Sequence, residues 1–235
     1  MNVNECKYDF ASDNINIITL VYDESGSMES HQRAMRTANQ TFVKDFSTFE
    51  EKGSVAISKA VFTDYFSMSE FLPVSKFNTN YTADGGTRLY RAISSAVRHT
   101  IEYYNEIIKR LNVRPKITFM IFSDGSDNYN APSEFLNARQ AIAEINSLDA
   151  TTVFVAFDEA TGSGIGEKLG FTCTRDINSV QELISCLGIE LSKSCKEQSK
   201  SVYSLKSEFF SKAGADSDDD DTSSEDAFDD DFFNV

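Results

Sequence analysis

Five oxygen-bearing side chains cluster in three short runs of the chain. Asp23, Ser25 and Ser27 come from DESGS, Thr87 from GGTRLY, and Asp124 from FSDGSDN. In the first run the alternation brings Asp23, Ser25 and Ser27 toward one side of a tight loop, and Gly26 relaxes the backbone there. Two carboxylates and three hydroxyls make an all-oxygen donor set. Such a set suits a hard divalent cation that keeps some of its waters: Mg2+ first, with Mn2+ and Ca2+ compatible with the same donors. Each piece also has an ordinary reading. Asp and Ser favour helix N-caps and turns, a Thr ahead of a helix is commonly a cap, and Asp-Gly is a turn signal. Their order, each behind a buried strand or a Gly-Gly turn, is what singles them out together.

The surrounding elements must bring these runs to one place. Residues 14–22 (NINIITLVY) form a β-branched, nearly unbroken apolar run, the pattern of a central strand covered on both faces. Similar runs at 54–62, 116–122 and 151–157 predict further buried strands, with another strand at 171–174 and a short antiparallel edge strand at 65–74. Helical spacing predicts helices over 29–49, 89–111 and 132–148, and a short one at 165–169 after a Gly-rich loop. A last helix starts near Ser179 and heads toward Phe210, with Gly188 a candidate break. Strands alternating with helices at these spacings imply an α/β fold: a doubly wound, mostly parallel sheet with helices on both faces. In such sheets ligands bind where loops leave the carboxyl ends of the strands, and the three runs fall there.

In order and spacing, DESGS, GGTRLY and FSDGSDN resemble the metal-ion-dependent adhesion site of von Willebrand factor A domains. The resemblance covers residues 14–199. The intact GGT-x-L-Y and F-S-D-G forms look most like intracellular members, those of bacterial tellurium-resistance clusters or beside AAA+ ATPases. It implies that Asp23, Ser25 and Ser27 are first-loop ligands, Thr87 the second-loop ligand and Asp124 the third-loop ligand. It also implies that the hydroxyls touch the metal directly while the aspartates act through water. It gives Glu24 no role, and Asp127 reads as a solvated loop charge. A metal short of direct negative charge can take a carboxylate from a partner, so the expected function is a metal-dependent protein-protein interaction in which the partner presents an Asp or Glu.

Catalytic readings fit poorly. Aspartate-nucleophile phosphotransferases have a second acid two residues after the first, where this chain has Ser25. A serine hydrolase would need a nucleophile elbow, which Ser25 lacks, and a histidine from His31 or His99. GSGIG at 162–166 follows the wrong strand for a P-loop and has no Lys-Ser/Thr pair, so it reads as a flexible loop. No enzyme is expected.

The net charge of −15 is unevenly placed. Ten of the 37 acids lie in residues 213–235, which contain no Lys or Arg; the other 27 face all 22 basic residues, a balance of −5. No basic stripe supports direct binding to duplex nucleic acid. The segment 213–235 is expected to be a disordered acidic tail, with 200–212 a helical extension or linker and 1–13 an N-terminal extension. Phe228, Phe232 and Phe233 stand among the tail's acids, and the arrangement resembles the acidic tails of single-stranded-DNA-binding proteins. That makes them candidate anchors for a basic protein partner, and gives a second functional reading: an accessory factor of nucleic-acid metabolism whose tail docks on, or mimics DNA toward, such a partner. No apolar run is long enough to span a membrane, the N-terminus lacks a signal-peptide core, and the four cysteines form no CxxC pair. A cytoplasmic protein with reduced thiols is expected.

Overall fold

A computed structural model describes residues 10, 15–49, 55–129, 131–157 and 162–196. The extension 1–13 apart from Phe10, the segment 200–212, and the tail with Phe228, Phe232 and Phe233 lie outside the described residues. Phe10 packs against the core.

Six strands form one sheet in the order β3-β2-β1-β4-β5-β6: β1 (Asn16–Asp23), β2 (Val55–Phe62), β3 (Phe66–Met68), β4 (Lys116–Ser123), β5 (Thr151–Ala156) and β6 (Cys173–Asp176). All neighbours are parallel except β3, which runs antiparallel to β2 at the edge. Every residue of β1 is buried, as its unbroken apolar run requires of a strand covered on both faces. Alternate side chains go to opposite faces. Ile17 and Val21 join the core under α2 (Leu89–Leu111) and α3 (Pro132–Asn146). Ile18, Leu20 and Tyr22 join the other, under α1 (Gln32–Phe49) and α5 (Val180–Lys196). The sheet is therefore doubly wound with helices on both faces.

Several boundaries differ from the sequence-based expectation, each for a local reason. The first helix is preceded by a separate 3-10 segment, Gly26–His31, which buries Met28. The edge strand is only three residues long because the Ser69 hydroxyl accepts the Lys59 N–H at 3.0 Å in place of a regular ladder bond; pairing returns as one bridge between Ile57 and Leu72. The sixth strand starts two residues late: Thr172 is pinned to Thr152 through its hydroxyl, which donates to the Thr152 carbonyl at 2.7 Å. The run 162–166 is not a loop. It opens α4 (Gly162–Leu169), where a Cβ on Gly166 would stand 2.7 Å from Phe154 Cβ, so the glycine permits close helix-sheet contact. Gly188 does not break α5, which continues to Lys196. The propensity penalty of about 1 kcal/mol for a mid-helix glycine is outweighed by burial of Leu183, Cys186 and Leu187.

Candidate metal centre

The parallel register puts the carboxyl ends of β1 and β4 side by side, with Tyr22 opposite Phe122. Asp23 is the last residue of β1 and Ser123 the last of β4, so the loops that follow leave the same sheet edge. Backbone bonds lace the loops together. Gly26 N–H donates to the Gly85 carbonyl at 3.0 Å, and Asp84 N–H donates to the Glu24 carbonyl at 2.7 Å, joining the first loop to the second. Asn128 joins the third loop to the second. Its side-chain oxygen accepts Thr87 N–H at 2.7 Å while its own N–H donates to the Thr87 carbonyl at 3.0 Å.

Asp23 lies at the centre and is fully buried. Its Oδ1 accepts Ser25 N–H at 3.0 Å and its Oδ2 accepts the Ser123 hydroxyl at 2.6 Å. Its carbonyl accepts the Tyr81 hydroxyl. These donors are all neutral, and among the described residues no cationic side chain pairs with it. Burial pushes the carboxyl up from 3.8 to about 6, against the opposing pull of the Ser123 and Ser25 bonds, and the charge of Asp124 adds to the rise. Tyr81 is pushed above its ordinary value, first by burial and then by the charges of Asp23, Glu24 and Asp124. The potential here is negative. A loop carboxylate lying near solvent would be the simple expectation for Asp23, but the strand carries it inside.

Ser25 and Ser27 share a hydrogen bond of 3.1 Å between their hydroxyls, with Ser25 buried and Ser27 exposed. Asp124 is half-buried and its Oδ1 accepts Ser126 N–H at 2.9 Å. Thr87 is buried, but among the described residues no hydrogen bond links its hydroxyl to the other four. Asp23, Ser25 and Ser27 are thus brought into one bonded group. Asp124 joins it electrostatically and through the neighbouring Ser123, and Thr87 is held alongside by its loop's backbone.

The ordinary reading of these hydroxyls as caps can be checked directly. Ser25 occupies the N-cap of the 3-10 segment and makes no side-chain cap bond. The N-cap of α2 is Arg88, not Thr87, and it makes no such bond either. Asp127 does that work from the third loop, accepting Tyr90 N–H at 3.1 Å on Oδ2 and Tyr129 N–H at 2.9 Å on Oδ1. It is a helix cap supplied across loops, not the solvated charge its position suggests. Glu24 also has a partner: Lys59 Nζ sits 3.5 Å from its Oε1, donates to the Asn80 carbonyl, and lies 5.0 Å from the Tyr22 ring centroid.

Sequence reasoning missed Ser123, Tyr81, Asn128, and the Lys59–Glu24 pair. Ser123 and Asn128 lie inside FSDGSDN and could have been marked as polar residues at a strand end. Nothing local to Tyr81 or Lys59 signals their roles. The twin glycines of the second loop are explained by packing. Gly85 has φ +85, and a Cβ on Gly86 would stand 2.5 Å from Asp64 Oδ1, the carboxylate whose Oδ2 accepts Gly86 N–H at 2.9 Å.

The donors suit a hard cation: oxygen only, with a buried carboxylate matched by neutral donors alone and hydroxyls left unspent on capping. The described residues contain no group of three or more His, Cys, Asp or Glu placed to hold a metal, so any metal here would rely on hydroxyls as well as carboxylates.

This six-stranded, mostly parallel sheet with one antiparallel edge strand is the α/β architecture of von Willebrand factor A domains. The pilus adhesin SpaC of Lactobacillus rhamnosus GG superposes with a TM-score of 0.60 at 14% identity, covering 81% of this chain and 31% of the adhesin. The manganese-loaded TRAP protein of Plasmodium vivax gives 0.54 at 11% identity, covering 76% of this chain and 74% of that one. Proximal thread matrix protein 1 from the mussel byssus, in a form with a zinc-occupied MIDAS motif, gives 0.54 at 17% identity, covering 80% and 49%. The chain therefore spans about a third of the adhesin and half of the byssus protein. No family model matches the sequence, and no curated protein matches it. No helix among the described residues is long and apolar enough to cross a membrane.

Proposed function

We propose that the chain is a metal-dependent protein-interaction module, in which Asp23, Ser25, Ser27, Thr87 and Asp124 hold a divalent cation, Mg2+ by preference. When bound, the cation offers a coordination position to the Asp or Glu of a partner protein. The observation that carries this reading is the buried Asp23 carboxylate, answered only by neutral donors beside hydroxyls that cap nothing. The Ser123 hydroxyl and Ser25 N–H fix the orientation of Asp23, while Tyr81 anchors its backbone. The manganese of TRAP and the zinc of the byssus protein support a divalent ion on this fold.

The module as proposed binds and does not catalyse. We place it in the cytoplasm, in the manner of intracellular von Willebrand factor A proteins. Calorimetric titration of Mg2+ and Mn2+ into the wild type, Ser27→Ala and Thr87→Ala tests the site. Binding is expected in the wild type and at least about tenfold weaker in each variant. Equal binding in all three would refute the ligand set. Partner capture from the native cell with and without EDTA tests the role of the ion.

A further inference from the structure

A cavity of about 470 Å3, walled by Phe62, Tyr65 and Phe66, is lined by Arg91 and by Arg88, the residue that follows Thr87. Neither guanidinium makes a salt bridge or hydrogen bond to any described residue, and Arg88 Nε is buried with no acceptor. The Arg88 guanidinium instead lies 3.7 Å from the Tyr129 ring centroid. Stacking of that kind fixes the plane of an arginine while leaving its in-plane donors to a carboxylate. Asp64 also lines the cavity, accepting Gly86 N–H on Oδ2 and the Tyr129 hydroxyl on Oδ1 at 3.1 Å, and it forms no salt bridge with either arginine. Tyr65, 85% exposed, and Tyr129, 47% exposed, leave aromatic surface at this edge.

We infer that Arg88 and Arg91 form a second subsite for the same partner, one that takes an acidic side chain close in sequence to the carboxylate offered to the metal. The inference rests on the metal-dependent reading above and narrows the partner to a segment with two acids. Arg88 follows Thr87 directly, so the two sites are separated by the span of a few residues. At roughly 3.3 Å per extended residue, the two acids stand about one to three positions apart. Choice between single-acid and double-acid partners is then made by the arginines, while capture itself depends on the ion.

The test is a random 12-residue peptide library displayed on phage, panned on the full chain in Mg2+ and eluted with EDTA. The eluted peptides are expected to carry an acid pair at that spacing. With a synthetic copy of one such peptide, replacing the second acid by glutamine is expected to weaken binding roughly tenfold to wild type, the scale of a charged hydrogen bond. The same replacement is expected to change little on Arg88→Gln/Arg91→Gln. Arg91→Gln alone, at an exposed position, gives a partial effect and guards against damage to the Thr87 loop. Arg139→Gln removes one charge from the exposed side of α3 and is expected to behave as wild type. Peptides with a single acid or none, or an equal loss on the double variant, would overturn the subsite. Peptides that EDTA leaves bound, released afterwards by acid and found to depend on both arginines, would sink the metal reading and leave only an arginine site for acidic side chains.

Discussion

Removing the charge of Asp23 is expected to stabilise the metal-free protein, the reverse of what deletion of a useful buried group normally does. Burial raises its carboxyl from 3.8 to about 6, and a displacement of about two pH units corresponds to about 3 kcal/mol held against the fold at neutral pH. In Asp23→Asn the side-chain oxygen still accepts Ser25 N–H. The new amide nitrogen then faces Ser123 Oγ, which already accepts Gly125 N–H at 3.0 Å and must turn its own hydrogen away. That readjustment returns about 1 kcal/mol, leaving the variant about 2 kcal/mol more stable at pH 7.5 in EDTA. The folded carboxyl takes up its proton before the unfolded one, so wild-type stability gains as pH falls through 6 and stops gaining below 3.8. The gap between the proteins therefore shrinks to under about 1 kcal/mol by pH 5. Saturating Mg2+, at about a hundred times its Kd, adds about 2.7 kcal/mol to the wild type alone and reverses the order. The chain has no Trp, so urea unfolding is followed by far-ultraviolet circular dichroism. A variant less stable than wild type in EDTA at pH 7.5, or a gap that ignores pH, would show that the fold already compensates this charge.

Three further outcomes follow from contacts around the site. Gly86→Ala drives a Cβ into Asp64 and is expected to lower stability by about 1–3 kcal/mol and weaken Mg2+ binding through displacement of Thr87, read by urea melts and calorimetry. Lys59→Met strips the cation from mostly buried Glu24 and is expected to cost about 3 kcal/mol, with Lys59→Met/Glu24→Gln recovering part of it in the same melts. Asp127→Ala removes the cross-loop cap of α2 and is expected to cost about 1 kcal/mol, with faster hydrogen exchange at the Tyr90 amide.

How much of this could be read from sequence depended on whether the deciding contact was local. The bounds of α2 coincide with the expectation because its apolar stripe and the stop at Asn112, in a left-handed conformation, are both encoded within the segment. The buried strands were legible for the same reason. The edge strand was overestimated because a single serine hydroxyl, Ser69, interrupts the ladder, and hydropathy does not register that. At the site, the three runs announced themselves through residue type, and the parallel register does bring their loops to one sheet edge. What surrounds Asp23 was hidden. Tyr81 reaches it from 58 positions away and Ser123 from 100, and only the folded sheet puts those side chains together. Asp127 misled for a similar reason, since the helix it caps begins on a different loop.

The lacing of the three loops bears on how fast an ion could load. The bonds from Gly26 to Gly85, from Asp84 to Glu24, and between Thr87 and Asn128 join groups of the chain to one another and tie the three loops together. Loops tied in this way have little backbone freedom to lose when an ion binds. The slow event becomes the shedding of water by the ion itself, a property of the metal, so exchange of Mg2+ for a more labile ion such as Ca2+ would quicken arrival without altering the receptacle. A partner arriving at such a site meets a surface whose shape is already set, and the time it stays is governed by its own contacts.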